Sequence, residues 1–250
     1  MIKIYIFFIT AVLFFSCNSK SSVDQFAELN QFYSDKSLGA VIQNDSTYFR
    51  LFAPRATSVK LVLFDDYNAE TGIHYQMKQD ADGVWEFAKA GELYGSYYGY
   101  KIAGPDGANE MFDSTIVIAD PYSKAVATQN NYHHPGKSLI LNTEFNWQGD
   151  TWVTTPQEDL IIYEMHVRDI SAHPSSGIEQ AGTYPGVVEK GKTGGLDYLL
   201  DLGVNAVELL PAHDFANIEI PYMDSTISVY NTWNPYERNH WGYMTSYFFA

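Results

Sequence analysis

Short runs of β-branched and aromatic residues, interrupted by Gly, Pro, Asn and Asp, fill the chain from residue 38 to about residue 145. Five runs have strand character: TYFRLFAP (47–54), SVKLVLFDD (58–66), VWEFAKAG (84–91), YYGYKIAG (97–104) and STIVIADP (114–121). Alternation is clearest in the second run, where Val59, Leu61 and Leu63 share one face. Many short strands separated by turn residues predict an all-β sandwich, which we assign to residues 37–146.

The sequence pattern changes after Asn146. Residues 160–167 (LIIYEMHV) predict a buried strand, residues 193–202 (TGGLDYLLDL) a helix, and residues 206–210 (AVELL) a second strand. A strand, a helix and a strand in this order require parallel strands. Such a unit is incomplete by itself, because a parallel sheet needs both of its faces covered and so few strands cannot close one. We therefore expect the chain to be truncated.

A long polar and aromatic segment, residues 213–238, follows the second of these strands. In an α/β barrel, the loops after the strands carry the substrate contacts. A disordered insertion is the alternative interpretation of this segment.

The charge balance limits the classes of partner. The chain has 30 acidic and 15 basic residues, a formal net charge of -15, so we expect no nucleic-acid partner. Aromatic residues make up 16% of the chain, which suits neutral ligands bound by ring stacking. All-β domains are also rich in Tyr and Phe, so composition leaves both interpretations open.

The N-terminal segment has the features of an export signal. An apolar run at residues 4–15 follows one early Lys and is too short for a comfortable membrane span. Ser16 and then Cys17, the only cysteine of the chain, follow the run, and a single cysteine excludes an intramolecular disulfide. The segment resembles a bacterial lipoprotein signal, which implies a signal peptide at 1–17, lipidation of Cys17 and a tether at 18–36. We expect an exported, membrane-anchored protein facing the periplasm or the cell surface, with an ordinary signal peptide as the alternative.

Several segments resemble one enzyme family, the pullulanase and isoamylase-like debranching enzymes of the α-amylase superfamily (glycoside hydrolase family 13). Three of them resemble the first strand, the second strand and the approach to the third strand of that barrel: YEMHVRDIS (163–171), GVNAVELLPAHDF (203–215) and NHWGYMTSYFFA (239–250). Three others resemble the immunoglobulin-like module of carbohydrate-binding module family 48 and its junction with the barrel: YFRLFAPRATSVKLVLF (48–64), GVWEFAKAGELYGSYYGYKI (83–102) and ADPYSKAV (119–126).

The resemblance implies that residues 157–250 form the incomplete start of a (β/α)8 TIM barrel. It also implies pullulanase-type hydrolysis of α-1,6-glucosidic branch linkages in starch, glycogen or pullulan. Family members use an Asp nucleophile and a Glu acid/base on later strands. The family segments Asp-x-x-x-Asn-His and Gly-x-Arg-x-Asp do not occur in this sequence, so we expect no catalytic residue within it. A 1,4-α-glucan branching enzyme and a non-catalytic α-glucan-binding lipoprotein are the alternatives. We expect no cofactor, and the sequence gives no support for a calcium site.

Tyr243 is the first candidate for a contact with substrate. In the matching Gly-Tyr segment of the family, the Tyr forms a stacking platform under the sugar at the cleavage point; a core Tyr is the alternative. Trp241 and His213 are secondary candidates. Met244 stands where many pullulanases have Asp, which leaves the subfamily open.

Two further groups of residues invite a functional interpretation. In the sandwich, Trp85, Tyr98 and Tyr100 are candidates for a glucan-binding face, whereas a module that only packs against the barrel is the alternative. On the first barrel strand, four titratable or charged residues stand close together, and we expect mutual ion pairing rather than acid/base catalysis: Glu164, His166, Arg168 and Asp169.

Overall fold

The computed structural model describes residues 27–107, 110–127, 136–215, 239–243 and 245–250. The predicted signal peptide at 1–17 with Cys17, the first part of the tether, Met244 and most of the long segment after the second barrel strand (216–238) lie outside the described residues. Among the residues that the structure describes, no helix is long and apolar enough to cross a membrane.

The first part of the described chain forms two antiparallel sheets, after a short 3-10 helix at Ala27–Gln31. Its strands are β1 (Gly39–Gln43), β2 (Ser46–Phe52), β3 (Ser58–Phe64), β4 (Ile73–Gln76), β5 (Lys78–Gln79), β6 (Val84–Ala90), β7 (Tyr97–Ala103), β8 (Val126–Ala127) and β9 (Lys137–Leu139). One sheet has the order β1-β2-β6-β5 and the other the order β4-β3-β7-β9-β8. Every pairing within the two sheets is antiparallel.

The two sheets share one apolar core, which confirms the predicted all-β sandwich. Phe49 of β2 contacts Tyr98 of β7 edge to face, with ring centroids 5.1 Å apart at 68°, and so links the two sheets. Val59 and Leu61 of β3 are 0% exposed, as their alternation predicts. Burying side chains of this size stabilises the fold by about 1.5–3 kcal/mol each.

Four of the five predicted strand segments contain strands, namely β2, β3, β6 and β7. The fifth prediction, residues 114–121, is wrong, because this segment makes only an isolated antiparallel bridge between Ile118 and Tyr100. The ladder cannot extend further along β7, since Ser138 of β9 already pairs with Tyr98. Asp120 instead turns its backbone N–H to the Ser138 hydroxyl at 2.7 Å.

The predicted glucan-binding face of the sandwich is also wrong. Trp85, Tyr98 and Tyr100 are 6%, 1% and 0% exposed, so none of them presents a ring to solvent. Their polar atoms are satisfied internally: the Trp85 indole N–H donates to the Ala53 carbonyl at 2.9 Å, and both tyrosine hydroxyls donate to Asp120. Strand alternation places Tyr98 and Tyr100 on one face of β7, and this face is the inner one.

The second part of the described chain contains a parallel pair of strands, β10 (Ile162–Met165) and β11 (Ala206–Leu209). Short helices lie before and between these strands: the 3-10 helices Gln157–Asp159 and Pro174–Ser176, and the α-helices α1 (Asp169–Ala172), α2 (Tyr184–Val187) and α3 (Gly195–Asp201). The parallel pairing and the position of α3 confirm the predicted strand, helix and strand.

The end of the chain forms a short antiparallel pair of strands. Strand β13 (Thr245–Tyr247) pairs antiparallel with β12 (Asp214–Phe215), and the Asp214 N–H donates to the Ala250 carbonyl at 2.9 Å. In the described part of the chain, parallel pairing is therefore limited to β10 and β11.

The last turn of the chain contacts the sandwich. The ring of Phe249 stacks on the ring of Tyr122, with centroids 5.5 Å apart and planes at 13°. The ammonium group of Lys124 lies 4.9 Å from the Phe249 ring centroid, within the range of a cation–π contact. These contacts connect the segment after β13 to the segment that precedes β8.

Candidate functional site

A cavity of about 230 Å³ opens where strands β10 and β11 end. Because the two strands are parallel, the residues that follow them meet at one edge of the sheet. Residues 166–168 line the cavity from the β10 side and residues 210–213 from the β11 side, while Asn239 and His240 close it from the C-terminal segment. The cavity thus collects polar side chains from three distant parts of the sequence.

Three titratable side chains meet at this cavity, and we call His166, Asp169 and His240 the His–Asp–His cluster. Asp169 is the first residue of α1. Its Oδ1 atom lies 2.9 Å from Nε2 of His240, and its Oδ2 atom lies 3.2 Å from Nδ1 of His166. The two imidazole centroids are 4.8 Å apart. The carboxylate therefore stands between two histidines that belong to different segments.

The electrostatics of the His–Asp–His cluster favour an ionised carboxylate. Partial burial raises the pKa of Asp169, but the hydrogen bond with His240 and the contact with His166 outweigh it and hold this pKa below its ordinary value. Nδ1 of His166 is buried, and no hydrogen bond reaches it in the described residues although the carboxylate is close. This nitrogen is a buried polar atom without a satisfied partner.

The segment 239–243 forms a tight turn beside the cavity. The Asn239 side chain holds the turn, since its Oδ1 accepts the Gly242 N–H at 3.2 Å and its amide donates to the Tyr243 carbonyl. Gly242 has φ +80°, and a Cβ there would lie 2.9 Å from the Pro211 carbonyl oxygen and 3.2 Å from the Phe215 ring. Only glycine fits this conformation and this close approach.

The turn exposes both aromatic candidates at the margin of the cavity. Trp241 is 56% exposed and Tyr243 is 50% exposed, with ring centroids 6.4 Å apart at 67°. Neither ring lines the cavity, whereas His213, the third candidate, does. The structure therefore brings the three predicted contact residues to one region, with two rings outside the cavity and one imidazole in its wall.

The expected network of four ion-pairing residues is only partly present. Asp169 contacts His166, but within the described ranges neither Glu164 nor Arg168 forms an ion pair. Glu164 is exposed and stands beside Glu208 in the parallel register, and the Arg168 side chain packs over Gly182. The prediction of mutual pairing is wrong for these two residues, because Glu164 stands beside another carboxylate and Arg168 packs over Gly182.

Sequence reasoning missed His240 and Asn239. His240 contacts Asp169 across 71 positions of sequence, and no local pattern links the two residues. The Asn-His pair at 239–240 is not the family segment Asp-x-x-x-Asn-His, because Pro235 stands at the position of its Asp. A search for histidines near predicted strand ends would have found His166 and His213 but not His240.

Comparison with known proteins agrees with this architecture. Residues 37–123 match the family described as carbohydrate-binding module 48 (isoamylase N-terminal domain). The chain is 34% identical over 233 residues to the chloroplastic isoamylase 1 of Oryza sativa subsp. japonica. This match covers 85% of this chain and 27% of that protein. It is 32% identical to the pullulanase of Bacillus subtilis, over 88% of this chain and 28% of that protein.

Among solved structures, the chain is similar to the pullulanase from Paenibacillus barengoltzii in complex with maltohexaose and alpha-cyclodextrin. The TM-score is 0.69 at 30% sequence identity, and the match covers 89% of this chain and 33% of that one. The chain thus spans between 27% and 33% of the length of these three relatives. Residues 37–123 therefore belong to the carbohydrate-binding module 48 family, and the chain as a whole is similar to the N-terminal region of isoamylases and pullulanases.

Proposed function

We propose that this chain supplies the carbohydrate-binding module and the first strands of a (β/α)8 barrel to a debranching glycosidase. The proposed reaction is hydrolysis of α-1,6-glucosidic linkages in starch, glycogen or pullulan. The observation that carries the proposal is the cavity at the carboxyl ends of the parallel strands β10 and β11. Barrel enzymes build their substrate sites at this end of the strands. The similarity to isoamylases and pullulanases supports the same interpretation.

Within this site we assign the substrate contact to Tyr243. Its half-exposed ring lies on a turn fixed by Asn239 and Gly242, so little conformational entropy is lost when a sugar binds. A flat aromatic ring suits the apolar face of a pyranose. Trp241 and His213 are secondary contacts in this proposal, one on the same turn and one in the cavity wall.

The chemistry of bond cleavage would come from carboxylates outside these residues. Retaining hydrolysis needs a nucleophile and an acid/base some 5–5.5 Å apart on opposite sides of the bond. Asp169 contacts two histidines that line the cavity, so its carboxylate is already engaged. We therefore give this chain a role in binding and positioning substrate, with no catalytic residue of its own.

We propose that the sandwich acts mainly as a packing partner of the barrel. Its large inner aromatics are buried, and its Tyr122 is in contact with Phe249 of the C-terminal segment. Glucan binding by exposed residues elsewhere on the module would be additional to this role.

We also infer from the sequence of residues 1–17 that the protein is exported and lipidated at Cys17. Fatty-acid labelling that persists in Cys17→Ser would contradict the anchor.

The test of the enzymatic proposal is a product analysis of the protein expressed from its complete coding sequence. Incubation with pullulan should release maltotriose, because only the α-1,6 linkages of this polymer would be cut. Amylose should remain unbranched and unshortened in a parallel incubation. Branch formation on amylose, or no product from pullulan, would overturn the assignment.

A further inference from the structure

The ligand atoms of the His–Asp–His cluster are arranged as in a metal site. Each of His166, Asp169 and His240 offers one nitrogen or oxygen, and these atoms all lie within 4.8 Å of one another. A tetrahedral zinc ion with bonds of about 2.0–2.1 Å separates its ligand atoms by about 3.3 Å. Nε2 of His240 lies 2.9 Å from Oδ1 of Asp169, and Nδ1 of His166 lies 3.2 Å from Oδ2, so each imidazole is already at about this distance from one oxygen of the carboxylate. Small side-chain rotations would complete the geometry.

The buried Nδ1 atom of His166 is the second observation that points to a ligand. It lies 3.2 Å from a carboxylate oxygen, yet no hydrogen bond satisfies it in the part of the chain that the structure describes. In a neutral imidazole whose Nδ1 carries the lone pair, two acceptor atoms would face each other at this distance. A cation between them turns this unfavourable contact into two favourable ones.

We propose that His166 Nδ1, Asp169 and His240 Nε2 bind one divalent first-row transition-metal ion, with Zn²⁺ as the representative. Two imidazoles and one carboxylate are a ligand set that Zn²⁺ and its neighbours in the first row accept. Both histidines line the cavity, so the remaining coordination positions face solvent there. This inference goes beyond the proposed debranching activity and does not depend on it.

The bound ion would act as a cross-link at the candidate site. It joins the start of α1 to the turn that carries Trp241 and Tyr243, two segments that are far apart in sequence. His240 makes this connection through its contact with Asp169, and its side chain is 48% exposed. A metal–nitrogen bond would hold the turn more firmly than an exposed hydrogen bond does. Arg168, which lines the same cavity, is the positive charge that opposes the ion.

The experiment is a zinc titration of the 250-residue chain, measured by calorimetry. Metals are first removed from the protein with a chelator. We expect one tight equivalent per chain. His240→Ala and Asp169→Asn should each weaken binding by at least about tenfold, since even residues that only orient metal ligands cost 10–100-fold when changed. His213→Ala is the matched control, because His213 lines the same cavity outside the cluster and should leave the affinity unchanged.

Two adjacent histidines, His133 and His134, lie outside the described residues, so their double alanine variant is titrated in parallel and should retain the tight equivalent. Circular dichroism checks that each metal-free variant is folded. We expect His240→Ala to fold, because the side chain that it shortens is exposed. Co²⁺ in place of Zn²⁺ should give an absorption band that His240→Ala abolishes. No tight binding by the unmodified chain, or equal binding by His240→Ala, would overturn the proposal.

Discussion

The hydroxyl of Tyr98 donates a hydrogen bond of 2.8 Å to Oδ2 of Asp120 in the core of the sandwich. The hydroxyl of Tyr100 donates to the same oxygen at 3.2 Å, while Oδ1 accepts the Tyr122 N–H at 2.8 Å. Burial raises the pKa of Asp120, and burial together with this carboxyl raises the pKa values of both tyrosines well above their ordinary range. The segment after the isolated Ile118 bridge is thus fixed by a buried polar hub.

Removing one donor from this hub should destabilise the sandwich. Tyr98→Phe keeps the ring packing against Phe49 but leaves Asp120 with one partner fewer, and we expect a loss of about 1.5–3 kcal/mol in unfolding free energy. Urea denaturation measures the loss. Tyr97→Phe, on the opposite face of β7, is the control and should change stability little. Equal losses in the two variants would contradict the hub.

The ion pair between Lys36 and Asp80 should make stability depend on pH. The atoms are 2.9 Å apart, and although partial burial opposes it, the Lys36 hydrogen bond helps to lower the pKa of Asp80 below its ordinary 3.8. The stabilisation is therefore fully present above pH 3.8 and is lost as the pH falls through the lower folded-state value. We expect Lys36→Gln to cost no more than about 1 kcal/mol at neutral pH, because the pair is solvent-screened.

This prediction is checked by denaturation of both proteins across the acidic range. The difference between them should shrink below pH 3.8 and also in high salt. A difference that grows as the pH falls would show that another interaction of Lys36 is responsible.

The turn at 239–243 should tolerate no side chain at Gly242. Gly242→Ala adds a Cβ against the Pro211 carbonyl and strains a backbone with φ +80°. Gly203→Ala is a matched control, because φ is +78° there and nothing lies within 4 Å of the added atom. We expect the control to cost about 1 kcal/mol from the backbone alone and Gly242→Ala to cost clearly more. Thermal unfolding measures the loss of stability in each variant, and binding to soluble glucan measures the effect on the site. Equal losses in Gly242→Ala and Gly203→Ala would contradict the close packing.

The ring of Tyr243, rather than its hydroxyl, should carry the sugar contact. Tyr243→Ala is expected to weaken glucan binding several-fold, about 1 kcal/mol, whereas Tyr243→Phe should bind nearly as well as the unmodified chain. Affinity electrophoresis in gels containing amylopectin compares the three proteins. Tyr33→Ala, which removes a ring 75% exposed on the distant N-terminal segment, is the control. Loss of binding in Tyr243→Phe would assign the contact to the hydroxyl instead.

The purified 250-residue chain should not hydrolyse α-glucans by itself. Neither the Asp-x-x-x-Asn-His segment nor the Gly-x-Arg-x-Asp segment occurs in its sequence, and Asp169 is held between two histidines. A reducing-sugar assay on pullulan tests this expectation. Sugar release that copurifies with the chain and disappears in Asp169→Asn would overturn it and would place a catalytic group in the described cavity.

Local patterns were sufficient to predict the elements whose hydrophobic residues are contiguous. Strands β10 and β11 and helix α3 follow from such runs, and their order in the chain requires the parallel pairing that the structure shows. The segment 114–121 has equally strong strand character, but β9 occupies the edge of β7 that it would need. Competition between two segments for one edge cannot be read from either segment alone.

The candidate site was predictable only in part for a similar reason. His166 stands at the end of one predicted strand and His213 follows the other, so their meeting at one sheet edge could be inferred. His240 reaches Asp169 from a segment without regular period, and only the folded chain brings them together. The prediction for Tyr98 and Tyr100 was limited in a different way. Alternation places both side chains on one face of the strand, but it does not show whether that face is buried or exposed.

The stacking of Phe249 on Tyr122 has a consequence for the order in which the protein folds. Every strand of the sandwich precedes β10 in the chain, so this domain can complete its core during synthesis before the last turn leaves the ribosome. Phe249 then docks onto a surface that already exists and gains an aromatic contact without closing a new core. The folded sandwich would thus provide the surface on which the end of the chain becomes ordered. A variant that unfolds the sandwich should also release the strand that follows the Gly242 turn.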